Sequence, residues 1–175
     1  QGILTLVQEI IREKRLQLGA RYVLVPSFGE DSFLLYADVD ASEFKRMLSN
    51  IIDNATQASN PRSEVTITLK NGGTHVEISI KDRGKGMAER ELGLATQKHF
   101  TTKKGGSGLG LFYAKEKIVE AGGDLQLQSK PGQGTTVTLL LPRTPAPDVF
   151  IERLVVPASG TIVIVDDQET SHLEL

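Results

Sequence analysis

The stretch Lys98–Glu120, KHFTTKKGGSGLGLFYAKEKIVE, sets basic and hydroxyl residues ahead of a glycine cluster and then reads as a helix. Glycine tolerates positive φ and lets backbone N–H groups approach an anion, and the start of a helix adds the positive end of its dipole. GGSGLGL therefore suits a polyphosphate, against the plainer reading of a flexible turn. The P-loop pattern and a strand followed by G-x-G-x-x-G are both absent, so any such cradle belongs to another architecture.

Outward from this stretch the chain divides into short periodic segments. ILTLVQEIIREKRLQLG carries Leu4, Val7, Ile11 and Leu18 at heptad-like spacing, stops at Gly19, and reads as the end of a longer helix. RYVLVPS and SFLLYAD read as two short strands around FGED, with Asp38 or Asp40 placed to cap the next helix. That helix places Phe44, Met47, Leu48, Ile51, Ile52, Ala55 and Ala58 on one apolar stripe, and Pro61 ends it. EVTITLK and HVEISIKD alternate around Asn71-Gly72-Gly73, a hairpin signal. Residues Gly84 to Gly108 lack a clean period and predict a mobile loop with a short helix near Glu89–Leu94. A helix over about Leu109–Ala121, ended by Gly122-Gly123, precedes a second antiparallel pair, DLQLQSK and GTTVTLLLP. Helices mixed with antiparallel strands make the class α+β.

Composition narrows the function. A chain of 175 residues buries roughly 68–70% of its unfolded surface, enough for a real core. Its 22 acidic and 20 basic residues leave a formal charge of −2, which argues against nucleic acid as a partner. Without cysteine there is neither a disulfide framework nor a thiolate metal site. No apolar run is long enough to span a bilayer and no signal peptide is visible, so no direct membrane contact is expected. The expected location is cytoplasmic, as a free protein or as the inner part of a membrane-anchored sensor. Four of the seven prolines fall between Pro142 and Pro157, which reads as a linker before the strand-like TIVIVDD.

Three features sharpen the phosphate reading. Asn50 and Asn54 lie one helical turn apart, facing one side with Glu43 and Gln57, and carboxamide oxygen suits Mg²⁺ beside substrate phosphates. Asp82 ends an alternating strand directly before Gly84 and Gly86, where an ionised carboxylate could accept from the exocyclic amine of adenine. Thr135 opens a strand after a glycine turn. Taken singly, each also has an ordinary reading: boundary residues, an Asx turn and a hairpin.

Their order is what carries a resemblance. NIIDNA, DRGKGM, FTTK, GSGLGL and GQGTTVTLLLP resemble, in sequence, the N-box, first glycine box, F-box, second glycine box and terminal glycine motif of histidine kinase catalytic domains. These belong to the ATPase/kinase group with the Bergerat fold, and the resemblance covers Arg21 through Pro142. It implies a two-layer α/β sandwich, a mixed and mainly antiparallel sheet packed on helices, with a mobile ATP lid. QEIIREKRLQLG resembles the end of the second helix of a dimerisation and phosphoacceptor domain, and TIVIVDD the opening strand of a receiver with Asp166 and Asp167 as its acidic pair. The implied division is a helix end over 1–19, a catalytic domain over 20–142, a linker over 143–160 and a receiver-like start over 161–175.

The resemblance also implies roles. Asn54 would ligand Mg²⁺, Asn50 would lie beside the phosphates, and Asp82 would receive the adenine amine in a pocket shaped by Gly84, Gly86 and Met87. Gly106, Gly108 and Gly110, with Ser107 and Leu109 between them and Leu111 after them, would offer amides to the phosphates, and Thr135 would lie near the base. Phe100, Thr101, Thr102 and Lys103 would form the lid, with Asn50 and Lys103 as the catalytic pair. Gln57 stands where many members have a Lys or Arg that reaches a phosphate, and Ala58 where many have an aromatic on adenine; nitrogen-regulatory-type kinases share both. Gyrase-like, mismatch-repair, chaperone and anti-sigma relatives carry a glutamate general base at the place of Asn50. A histidine acceptor, itself nucleophilic near neutral pH, has less need of one.

The implied reaction is transfer of the ATP γ-phosphoryl group to a histidine on a dimerisation domain. The alternatives are a related ATPase or serine kinase, or a nucleotide-sensing module without transfer. Implied partners are the dimerisation domain of the same protein, a response regulator receiver and a second copy in a homodimer. His75, expected mid-strand, His99 in the lid and His172 in the tail all lack the helical His-acid pattern of an acceptor, which is expected before Gln1.

Overall fold

The structure is a computed structural model and describes residues 1–103 and 106–147. At its centre, β3 (Glu64–Asn71) and β4 (His75–Lys81) pair antiparallel with Ile67 opposite Ile80 and Leu69 opposite Ile78. Period two does the sorting: Val65, Ile67, Leu69, Val76, Ile78 and Ile80 are at most 1% exposed, while Thr66, Thr68 and Ser79 on the other face keep contact with water. The turn uses the residues it demands, since Gly73 sits at φ 81° and donates its N–H to Asn71 Oδ1 at 3.0 Å.

Around this hairpin the sheet grows both ways. β1 (Val23–Phe28) runs parallel to β3 on one edge, where Pro26 is tolerated because an edge strand has one unpaired side. β6 (Gly134–Thr144) runs antiparallel to β4, and β5 (Asp124–Lys130) antiparallel to β6 on its far side. β2 (Tyr36–Ala37) adds a two-residue pairing at Arg143 and Thr144. The order is β1-β3-β4-β6-β2, with β5 also on β6, a mixed and mainly antiparallel sheet as expected. Strands form on both sides of FGED, but neither is the other's partner: the first three residues of SFLLYAD make a 3₁₀ turn at Ser32–Leu34 and only Tyr36–Ala37 are strand. The parallel pairing of β1 with β3 requires a crossover instead.

Helix α2 (Ala41–Ala58) is that crossover. Asp40 caps it, its Oδ1 accepting from Glu43 N–H at 2.9 Å. It buries Phe44, Met47, Leu48, Ile51, Ile52 and Ala55 against the sheet, as the stripe predicts, together with Thr56, whose hydroxyl returns to Ile52 O at 3.0 Å. Ala58 is half-buried. A short helix α3 (Glu89–Leu94) occupies its expected place, with Glu91 Oε2 accepting from Ala88 N–H at 2.8 Å. α4 (Gly110–Glu120) packs beside α2 through Ala114 and Ile118 and stops before Gly122 at φ 73°.

Helix α1 (Ile3–Leu18) ends at Gly19, φ 56°, and shares the same apolar core. Its buried face is Ile3, Leu6, Val7, Ile10, Ile11 and Lys14, whereas Leu4 and Leu18 are only partly covered. The broad 3.6-period face replaces the narrow heptad seam because α1 lies against α2 and β1 together. Each fully buried Ile or Leu there contributes about 1.5–3 kcal/mol of burial energy. His75 opens β4 rather than lying within it, and is exposed. β6 extends through Thr144, so it takes in the first two residues of the linker expected over 143–160. The rest of that linker beyond Pro147 and the receiver-like 161–175, with Asp166, Asp167 and His172, lie outside the described residues. No helix among the described residues is long and apolar enough to cross a membrane.

Candidate functional site

One cleft of about 820 Å³ opens between α2, the start of α4, the segment after β4 and the residues Phe100–Lys103 and Gly106–Leu109. Its size falls in the range of small-molecule sites. Every residue to which the resemblance gives a part in holding ATP lines it except Gly84. The five motifs, dispersed over more than eighty residues of sequence, therefore meet on one surface.

At one end Asp82 is 4% exposed. Its Oδ1 accepts the N–H groups of Gly84 at 2.8 Å and Thr135 at 3.1 Å, while among the described residues Oδ2 has no hydrogen-bond partner. The carboxylate is thus fixed by backbone on one oxygen and leaves the other as an acceptor. Burial pushes its pKa above the ordinary aspartate value, against the pull of those two N–H bonds. Gly84 stands behind this wall: a Cβ there would lie 2.4 Å from Ala58 O, so it shapes the pocket by its smallness rather than by lining it. Gly86, at φ 65°, is packed so closely that a Cβ would fall 1.9 Å from Lys130 O. Met87 N–H donates to Ser129 Oγ at 2.9 Å, and that hydroxyl meets Thr135 Oγ1 at 2.9 Å, tying the loop to the β5–β6 turn.

At the other end, Asn50, Asp53, Asn54 and Gln57 share one stripe of α2. Lys103 reaches across to it, its Nζ donating to Asn54 Oδ1 at 2.8 Å and to Gln57 Oε1 at 2.7 Å. Burial lowers the pKa of this ammonium, the nearby charge of Lys85 adds to the effect, and Asp53 opposes it. Lys85 Nζ meets Thr102 Oγ1 at 3.3 Å, so Phe100–Lys103 are tied to both ends of the cleft. Gly108, at φ 66°, lies where a Cβ would be 2.4 Å from His99 C, a close approach open only to glycine. α4 then begins at Gly110 with no side-chain cap, leaving the dipole of its first turn turned to the cleft. The N–H of Gly106 is already used, donating to Lys103 O at 3.1 Å.

Glu43 faces away from this chemistry. Its carboxylate takes the Tyr113 hydroxyl and lies 3.9 Å from Lys117, and Tyr113 in turn carries the Arg46 guanidinium 4.5 Å above its ring. Glu43 is therefore a structural tie between α2 and α4. His99 is exposed at φ 66°, its N–H donating to Gly108 O at 3.2 Å.

Arg46, Asp53, Lys85, Tyr113 and Glu116 line the cleft without having been singled out. Arg46 and Asp53 were accessible to helical phase, at four residues before and three after Asn50, and Lys85 lies inside DRGKGM. Tyr113 and Glu116 depend on how α4 docks, which carries no local signal. Among the described residues there is no group of three or more His, Cys, Asp or Glu that would cage a metal by itself.

Residues 39–145 match the family described as histidine kinase-, DNA gyrase B- and HSP90-like ATPase. The sensor histidine kinase ZraS of Escherichia coli K12 is 37% identical over 103 residues, 59% of this chain and 22% of that protein. The sensor protein EvgS of the same strain is 33% identical over 152 residues, covering 78% of this chain and 13% of its own length. The chain thus spans less than a quarter of these relatives. Among solved structures, the mycobacterial sensor histidine kinase MprB superposes with a TM-score of 0.71 at 24% identity, covering 82% of this chain and 96% of that one. This likeness shows the fold, a Bergerat-type two-layer sandwich.

Proposed function

Because the chain belongs to the histidine kinase-, DNA gyrase B- and HSP90-like ATPase family, matched over residues 39–145, we propose that it is the ATP-binding catalytic part of a sensor histidine kinase. The observation that supports this most is the convergence of all five motif segments on one cleft, with an acceptor-only carboxylate at one end and carboxamides at the other. Asp82 Oδ2 would receive the amine of an adenine base. Asn50, Lys103 and the amides around Gly108 and Gly110 would hold the phosphates. ATP supplies the γ-phosphoryl group, and the chain's part in the reaction is positioning and charge neutralisation.

Asn54 fits Mg²⁺: its Oδ1 already accepts a cation, the Lys103 ammonium, at 2.8 Å. With no carboxylate cage, the ion would be held by this carboxamide, substrate phosphates and water, the usual arrangement for Mg²⁺. Magnesium supplies neutralisation of phosphate charge when bound. Asn50, an amide, cannot take a proton from water or a serine, and Glu43 is committed to Tyr113 and Lys117. That favours a histidine as acceptor, on a dimerisation domain that residues 1–19 would close, in a homodimeric cytoplasmic assembly acting on a response regulator receiver.

Binding of a non-hydrolysable ATP analogue with Mg²⁺, followed by phosphorylation of an added dimerisation domain bearing the acceptor histidine, tests the reading. Binding that Asp82→Asn weakens about a hundredfold, together with acid-labile phosphate on that histidine, is expected. ATP turnover without any histidine acceptor, or binding unmoved by Asp82→Asn, would overturn it.

A further inference from the structure

The apolar face of α1 ends in a charge. Ile3, Leu6, Val7, Ile10 and Ile11 are followed on the same face by Lys14, which is 5% exposed, and a lysine is seldom so buried unless paired. Its ammonium reaches Asp53 Oδ1 at 2.6 Å and Gln17 Oε1 at 3.0 Å. Asp53 belongs to the cleft wall, on the stripe that carries Asn50 and Asn54, and keeps 35% of its side-chain surface exposed. Lys14 does not line the cleft and lies outside the matched residues 39–145. It meets the site from behind.

Charge explains why that matters. The described wall carries three cations, Arg46, Lys85 and Lys103, against three carboxylates, Asp53, Asp82 and Glu116. Such a balance offers little to a polyanion. Asp82 faces the end away from the carboxamides, so Asp53 is the carboxylate that shares a helical turn with Asn50 and Asn54. Its field is felt in the cleft, since it acts on Lys103, whose ammonium rests on Asn54. Left unpaired, Asp53 would repel phosphates and hold Lys103 on the carboxamide that a metal–phosphate group needs.

Resting on the reading of the cleft as an ATP site, we propose that Lys14 is a positioning residue for triphosphate binding: it neutralises Asp53 from α1, so affinity depends on α1 being seated on α2. Two further contacts hold α1 in place, Lys45 Nζ of α2 to Glu9 Oε2 at 3.0 Å and Arg15 Nη2 to Leu24 O of β1 at 2.8 Å. A helix that precedes the ATPase segment thereby sets the electrostatics of its cleft.

Calorimetric titration of the whole chain with a non-hydrolysable ATP analogue, ADP and adenosine tests this. Lys14→Met is expected to weaken the triphosphate about tenfold, ADP less, and adenosine not at all, because the lost neutralisation acts on phosphate charge. The double variant Lys14→Met with Asp53→Asn, which buries no unpaired charge, is expected to recover wild-type triphosphate affinity although the ion pair is still missing. Asp53→Asn alone reads the same effect independently of how well Lys14→Met folds, and is expected to tighten the triphosphate about threefold with adenosine unmoved. Equal weakening of all three ligands would make Lys14 merely structural, and unchanged affinities or no recovery in the double variant would also overturn the proposal. Wild-type chain that binds no adenylate would instead overturn the ATP reading itself, a result distinct from adenylate binding that is insensitive to Lys14.

Discussion

At one end of the cleft Asp82 is held by backbone N–H groups at the ends of β4 and β6; at the other, Asn54 and Gln57 are held by a lysine side chain from residue 103. The first arrangement has no donor rotamer to change, since its donors are backbone N–H groups, of Thr135 in β6 and of Gly84 just after β4, and its glycines are packed against carbonyls. The second consists of side-chain bonds that a ligand can replace one for one. The Asp82 end is therefore a fixed surface, whereas the carboxamide end is a set of exchangeable contacts. Substitutions at the first should cost fold or binding outright, and those at the second should tune affinity.

The sharpest way to break this comparison is Gly86→Ala, whose Cβ would meet Lys130 O at 1.9 Å at a φ of 65°. A loss of about 3 kcal/mol in urea unfolding is expected; an unchanged midpoint would show the Asp82 end to be as adaptable as the other. Next comes Asp82→Asn, expected to weaken adenylate binding about a hundredfold, roughly what a site built to pair a polar group loses when it is mismatched. Stability should move the other way. The folded-state pKa of Asp82 is raised, so its ionised form costs stability above that pKa, and the cost disappears as pH falls through it to the ordinary value. The Asn variant should thus match or exceed wild type in urea midpoint at pH 7, with the gain vanishing in acid. Adenylate affinity of the wild type should decline with acidification at a higher pH than an ordinary aspartate would dictate.

Effects at the carboxamide end are smaller. Asn54→Ala is expected to weaken the Mg²⁺-dependent part of triphosphate binding about tenfold while leaving adenosine binding unchanged, read by titration with and without the metal. Lys103→Met should change triphosphate affinity only a few-fold, because its ammonium both attracts phosphate and occupies Asn54 Oδ1. Its unfolding midpoint should stay near wild type, since the ammonium is partly exposed and its bonds return to water.

Some of this was legible before any coordinates. The alternation of β3 and β4, the stripe of α2 and the glycine stop of α4 are local matters of period and capping and stand where the sequence places them, and of the two aspartates offered as the cap of α2 the fold uses Asp40. Gly84, expected to shape the pocket, does not itself line the cleft: a Cβ there would lie 2.4 Å from Ala58 O, a closeness that no local pattern signals. The partners of β1 and β2 were not legible, because pairing across β3 and β6 is set by the crossover through α2. Likewise, Glu43 shares a helical face with Asn50, but α4 brings Tyr113 and Lys117 to it and takes it out of the site.

Sequence alone determined which residue types could serve this cleft, because periodicity and glycine placement are properties of neighbours along the chain. Only the tertiary structure decided which of their charges face the cleft and which are neutralised. Lys14 and Asp53, thirty-nine positions apart, become one neutral pair when α1 packs on α2. Electrostatic energy depends on distance and burial, and a linear chain specifies neither until its helices have docked.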